Sequence, residues 1–264
     1  MKMRNFFYKI VCDVYDTLNQ VKLFRPILSF FDEVYCIIRR KEEMRFYSNF
    51  VSKGDLCFDI GANIGTFSDI LLRLGCKVIA VEFQTDCVNH LNKKFASVNN
   101  FTLVNKAADE TIRDIDVFIC STNSLSTISP QWIKTIKQTR KHLTFTHNKR
   151  NKVHTTTLDQ LITQYGKPVF CKIDVEGGEL SVIKGLSQPL SFLSFEFTTE
   201  SIGLSRDCLR HLSSLGKYSY NYSLRKAIKL ESANWMSFED MMKTLDSMKF
   251  DSLCGNIYAK LLQT

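Results

Sequence analysis

A chain of 264 residues, 44% hydrophobic and 23% charged, carries enough apolar material for one large core and is too apolar for wholesale disorder. The formal charge of +8 favours anionic partners in general terms, but no recognised DNA or RNA module accompanies it, so no specific nucleic-acid partner is expected. Nine cysteines without a C-x-x-C pair or a short Cys/His spacing do not indicate a zinc site or a disulfide framework, and they fit a reducing, cytoplasmic compartment.

Residues 1–44 read as an N-terminal helical cap of two amphipathic helices broken near Pro26. Phe7, Val11, Val14 and Leu18 recur at helical spacing in the first; Ile27, Phe30, Phe31, Val34 and Ile38 do so in the second. No uninterrupted apolar run approaches the roughly 20 residues of a spanning helix, and no small-residue cleavage site follows one, so neither a span nor a signal peptide is expected. Phe-rich basic helices can also lie on a membrane surface, which keeps a peripheral location open.

From residue 45 to 264 the pattern is that of one α/β domain. An apolar run at Leu56–Ile60 predicts a strand, followed by a helix bearing Phe67, Ile70, Leu71 and Leu74 and stopped by Gly75. "KVIAVE" predicts a second strand, with a helix from about Asp86, and "FTLVN" a third, ending before Ala107, Ala108 and Asp109. Residues 115–157 are less regular: strands "IDVFIC" and "KVHTTT" would flank a mobile, substrate-facing insertion that holds much of the excess positive charge, between Lys134 and Lys152. Thr157 and Gln160 have the spacing of a capping box, and Gly166 ends the helix they open. Strand "VFCKID", helix "GGELSVIKGL" and strand "FLSFEF" follow; "YSYNYSL", a helix near Phe238–Leu245 and "NIYAKLL" close the chain. About seven strands alternating with helices imply a mostly parallel, Rossmann-like sheet.

Such a sheet binds ligands beyond the carboxyl ends of its strands. Gly61 and Gly65 lie in the turn after the first strand, and Glu82 closes the second about twenty residues on, where a carboxylate can accept ribose hydroxyls. A dinucleotide fingerprint would need glycines where this chain has Asn63 and Thr66, so a pyrophosphate is poorly served. S-adenosylmethionine has no phosphate. Its ammonium and sulfonium suit the acidic Asp59, and Asp109 would accept from the adenine amino group.

"FDIGANIGTFS", "AVEF", "TTLDQL" and "CKIDVEGGELSVIKG" resemble, in order, the motifs of the FkbM family of methyltransferases, over roughly residues 45–260. The resemblance implies a class I methyltransferase fold, S-adenosylmethionine as cofactor, and methylation of a hydroxyl on sugars or natural products. Carried over, the glycine-loop motif falls on Asp59, Gly61, Asn63 and Gly65, the ribose acid on Glu82, and the "DVEG" signature on Asp174, Glu176 and Gly177. Phe83 stands where many relatives have proline, and Gly178 where they often have alanine.

For the chemistry, Asp174 at the end of the fourth predicted strand, Glu176 and Glu179 just after it, and Glu196 on the neighbouring strand would crowd one rim. Crowding should raise at least one carboxylate pKa. Asp174 or Glu176 would accept the proton from a substrate hydroxyl and Glu196 would orient it. A divalent cation held by the same carboxylates is the rival and is not favoured; no metal ligand is assigned. The expected acceptor is a small molecule or glycan with a free hydroxyl, with attachment to a membrane-bound or phosphorylated glycan carrier as a further reading of the basic segment. An N-methyltransferase and a catalytically silent binding module of the same fold are the alternatives.

Overall fold

The structure is a computed structural model that describes residues 38–120, 132, 134, 145–224, 228–248 and 254–262, with the backbone alone at 117–120 and 145–151. The chain divides into two units, Met1–Arg45 and Phe46–Thr264. In the first, residues 38–45 are helical, and Arg39 Nε lies 3.0 Å from Glu43 Oε1, one turn on. The remainder of the expected helical cap lies outside the described residues.

The second unit is built on β1 (Leu56–Ile60), α1 (Thr66–Arg73), β2 (Lys77–Val81), α2 (Thr85–Lys94), β3 (Phe101–Val104), β4 (Ala107–Ala108), β5 (Asp114–Cys120) and β6 (Phe145–Thr156). It continues through α3 (Leu158–Tyr165), β7 (Phe170–Ile173), α4 (Glu179–Lys184), β8 (Phe192–Thr198), α5 (Ile202–Leu215), β9 (Tyr218–Leu224), α6 (Phe238–Ser247) and β10 (Cys254–Leu261). Seven strands form one sheet in the order β3-β2-β1-β7-β8-β10-β9. All neighbouring pairs from β3 to β8 are parallel, and β10 runs antiparallel to both β8 and β9. This is the expected Rossmann-like, mostly parallel sheet, and the reversal of strand order beside β1 puts the ligand-binding crevice at the ends of β1 and β7.

The insertion makes a second, smaller sheet, β4-β6-β5, with a bulge between Asp116 and Val117 in the β5–β6 hairpin. Lys137, Arg140 and Lys141 of its basic stretch lie outside the described residues. One helix, α5, is absent from the sequence reading. Its core-facing positions Ile202, Cys208, Leu209, Leu212 and Leu215 recur at helical spacing, so the signal for it is in the sequence.

Period-two alternation decides what each strand shows to each face. Phe58, Ile60, Cys171, Ile173, Leu193 and Phe195 belong to one buried cluster. Cys57, Val78, Ala80, Phe170 and Tyr258 belong to the other, with Phe67 of α1 and Leu91 and Phe95 beside α2. Asp59, Lys172 and Glu196 stand two positions along from Cys57, Phe170 and Ser194, so they rise on that second face. Glu82 and Asp174 continue the same alternation past the ends of β2 and β7. Aromatic rings floor this face: Phe50 stacks on Tyr258 at 5.7 Å, and Tyr47 meets Phe67 edge-on at 4.8 Å. Among the described residues no helix is long and apolar enough to cross a membrane.

Candidate active site

The turn after β1 is a left-handed structure built into the sheet. Gly61, Asn63 and Gly65 have φ of 83°, 50° and 72°. The N–H groups of Gly61 and Ala62 both donate to the Val81 carbonyl, at 2.9 and 3.0 Å, which locks the turn against the end of β2. A Cβ on Gly61 would stand 1.9 Å from the Asp174 carbonyl oxygen, and one on Gly65 would stand 2.5 Å from Leu91 Cδ2. These glycines are therefore required by the protein's own packing as well as by the turn.

Asp59, fully buried, accepts from the Ser68 hydroxyl at 2.6 Å through Oδ2, while its buried Oδ1 has no hydrogen-bond partner. Burial raises its pKa against the pull of the Lys172 ammonium and Ser68. Glu82 is not a solvated strand end. Only 4% exposed, it accepts N–H bonds from Phe83 at 2.7 Å and Gln84 at 2.8 Å on Oε1, and from Asn63 at 2.8 Å on Oε2. Burial raises its pKa although these three donors pull it down. A carboxylate has about four acceptor positions, so Oε2 keeps capacity for an incoming hydroxyl. An orphaned acceptor on Asp59 and a fixed acceptor on Glu82, on either side of one turn, fit the ammonium and ribose of S-adenosylmethionine.

Asp109 sits elsewhere in the network. Its Oδ1 accepts from Ser181 of α4, its Oδ2 takes Arg113 Nε at 3.0 Å and Nη2 at 2.9 Å, and its N–H donates to Thr156. None of these partners belongs to the glycine turn; the residue joins the small sheet to α4.

The rim at the end of β7 gathers the expected carboxylates. Oxygens of Asp174, Glu176 and Glu196 all lie within 4.8 Å of one another. Acidic groups often approach this closely without a cation, so the cluster does not by itself define a metal site. Asp174 accepts from Lys172 Nζ at 2.6 Å through Oδ2, and its N–H donates to Ile60, stitching the rim to β1. Glu176 holds φ of 54° and is followed by Gly177 at 86°. Glu179 closes the turn by accepting N–H bonds from Val175 at 3.2 Å and Gly177 at 3.1 Å. Asp174, whose carboxylate is engaged by Lys172, is left out of that capping role.

Burial first, then Asp174 among its neighbours, pushes Glu179 up to about 7. Glu196 rises well above the usual carboxylate range, again by burial first and then by Asp174, Glu176 and Glu179. Crowding thus acts as the sequence suggests, with burial the larger cause. Trp132 and Gly177 help wall a small cavity that also borders Glu179 and Glu196. A larger cavity of about 710 Å³, lined by Tyr218, Trp235, Phe238 and Lys260 among others, contains none of the candidate site residues. His154 pairs with Asp114 at 2.9 Å on the exposed side of the hairpin. Lys172 is missing from the sequence reading, although a lone lysine in the apolar strand "VFCKI" is the signal that marks it.

A doubly wound sheet, a left-handed glycine turn flanked by two acids and a carboxylate rim at the neighbouring strand end define a class I methyltransferase. The model of the methyltransferase FkbM domain matches residues 59–252, and the chain belongs to that family, whose members are S-adenosylmethionine-dependent methyltransferases. Among curated proteins none matches the chain. Similar solved structures include the precorrin-6y C5,15-methyltransferase of Geobacter metallireducens, at 10% identity and TM-score 0.46, covering 84% of this chain and 87% of that one. A TehB-like SAM-dependent methyltransferase of Corynebacterium glutamicum has 12% identity and TM-score 0.41, with coverage of 83% and 87%. Aeropyrum pernix fibrillarin with natively bound S-adenosyl-L-methionine has 12% identity and TM-score 0.39, with coverage of 80% and 68%.

Proposed function

We propose that the chain transfers the methyl group of S-adenosylmethionine to a hydroxyl of a saccharide or related metabolite. The observation that carries this reading is the placement of Asp59, Glu82, Asp174 and Glu196 on one face, at the carboxyl ends of β1, β2, β7 and β8. Asp59, Asn63 and Glu82, with the Gly61–Gly65 turn, would hold the cofactor, and Asp109 is kept as a candidate for the adenine end. Bound S-adenosylmethionine supplies a methyl group already activated by its sulfonium. The protein's task is then to align an acceptor and take up its proton.

Asp174 or Glu176 accepts that proton, and Glu196 orients a neighbouring hydroxyl of the acceptor by accepting its hydrogen bond. A polyhydroxylated acceptor fits a rim of several hydrogen-bond-accepting carboxylates. The same rim would also hold a protonated amine, which keeps N-methylation as the second reading. The reading extends to an acceptor carried on a membrane-bound or phosphorylated glycan carrier, through Lys137, Arg140 and Lys141, and to a cytoplasmic protein.

Calorimetric titration with S-adenosylmethionine tests the cofactor assignment. Asp59→Asn and Glu82→Gln each keep the local shape, and each should weaken binding at least tenfold without lowering the melting temperature by more than a few degrees. No binding by the folded parent would overturn the assignment and leave a silent module of the same fold. A screen of sugar hydroxyls beside amines then decides the acceptor class.

A further inference from the structure

We propose that Lys172 is the positioning residue of this site, a buried ammonium paired with Asp174 on the rim and standing beside Asp59 below the glycine turn. The inference rests on the methyltransferase reading above and adds a residue to it. Lys172 lies on β7, and its Cα is the register partner of Asp59 on the adjacent parallel strand β1. Neighbours in register share a face of a sheet, as do residues two apart along a strand, so Lys172 rises between Asp59 and Asp174. Its Nζ is 2.6 Å from Asp174 Oδ2 and 5.5 Å from the centroid of the Phe67 ring, and its side chain is only 12% exposed.

A charge with so little water must be answered by partners, and removing one partner leaves the other uncompensated. Asp59 answers from β1, Asp174 from the end of β7, Glu196 from β8, and Tyr258 from β10 faces the same region; Glu176 and Glu179 complete the negative surroundings. Burial works against the ammonium, but Asp174, Asp59 and Glu196 more than offset it, so Lys172 stays charged. Asp174 is therefore held: one oxygen is taken by Lys172, and the carboxylate stands beside Glu176 and Glu196 at the rim. A base with one oxygen anchored is held at one position relative to the cofactor turn, which is what alignment of donor and acceptor requires.

The test uses the full chain labelled with ¹⁵N-lysine. At neutral pH the parent should show a slowly exchanging ammonium resonance that disappears in Lys172→Arg, and Asp174→Asn should speed its exchange at least tenfold. An ammonium that exchanges as a free lysine, or one indifferent to Asp174→Asn, overturns the proposal. These two outcomes need neither cofactor nor acceptor, so a parent that fails to bind S-adenosylmethionine sinks the functional reading while leaving Lys172 decided. With an acceptor in hand, Lys172→Gln should lower kcat at least a hundredfold while changing the Kd for S-adenosylmethionine less than threefold. Lys172→Arg should restore kcat to within tenfold of the parent, and it serves as the folded variant if the glutamine form does not accumulate. In an Asp174→Asn background, Lys172→Gln should cost almost nothing further; an equal loss in both backgrounds would mean that Lys172 does not act through Asp174.

Discussion

Glu176 is the one charged residue of the rim whose backbone is left-handed, with φ of 54°. Holding a side chain with a Cβ there costs about 1–2 kcal/mol, whereas glycine accepts the same conformation but loses about 0.5–1 kcal/mol more entropy on folding. Strain relief is the larger of the two effects. Glu176→Gly is therefore expected to raise the free energy of unfolding by roughly 0.5–1 kcal/mol while methyl transfer falls at least a hundredfold. Glu176→Gln keeps the strain and separates the two contributions: it should lose activity without gaining stability. Urea melts of the three proteins check the stability order, and a less stable Glu176→Gly would mean that contacts of the carboxylate outweigh the strain. Residue identities at this rim were legible before the structure because Asp174, Glu176 and Glu196 fall at or just past predicted strand ends. Lys172 was passed over: a lone charge inside an apolar run marks it, but its use shows only once its register partner Asp59 and its ion pair with Asp174 are known.

Elements meet at the glycines, and the two most instructive behave oppositely. Gly65 caps the start of α1 with φ of 72°, and an added Cβ would stand 2.5 Å from Leu91 Cδ2 and 2.7 Å from Phe95 Cε2, the contacts through which α2 packs beneath the turn. Gly65→Ala meets both conformational strain and overpacking, about 2–4 kcal/mol together. Gly203, in the first turn of α5, has open space around it and no left-handed φ. Gly203→Ala should stabilise by about 0.5 kcal/mol, since alanine loses less entropy in a helix. Denaturant titrations giving the two variants the same sign would refute this account of how α1, α2 and α5 are seated. At this scale the sequence conveyed the main sheet well, because Leu56–Ile60, Phe170–Ile173 and Phe192–Thr198 are short apolar runs punctuated by turn residues. The capping contact at α3 was equally legible: the Gln160 N–H donates to Thr157 Oγ1 at 3.0 Å. α5 was missed although Ile202, Leu209, Leu212 and Leu215 recur at helical spacing, so its absence from the reading is not for want of apolar signal. The sequence does not show the donors that Glu82 and Asp109 take from the protein itself, Asn63, Phe83 and Gln84 on one and Ser181 and Arg113 on the other, because these come together only when the chain folds.

Across the whole molecule, the carboxylates buried for the site tie its stability to pH. Glu179 titrates at about 7 in the folded protein, against 4.5 for an ordinary glutamate, and Glu196, Asp59 and Glu82 are shifted in the same direction. The folded state therefore holds these protons at pH values where the unfolded chain has already released them. Between about pH 4.5 and 7 the native state binds more protons than the unfolded one, so the stability these groups contribute is complete below that window and is lost as pH rises through it. For Glu179 alone the difference corresponds to something on the order of 3 kcal/mol. The melting temperature should accordingly fall between pH 5 and pH 8, the reverse of the trend set by carboxylates that are held ionised in ion pairs. Glu179→Gln supplies the control, because an amide oxygen can still accept the Val175 and Gly177 N–H groups and so keep the turn while removing the proton equilibrium. Thermal melts across that range should be flatter for Glu179→Gln than for the parent, with the difference in slope concentrated between about pH 5 and 7. Parallel curves for the two proteins would mean that Glu179 is ionised throughout, and that the rim is wetter than its burial implies.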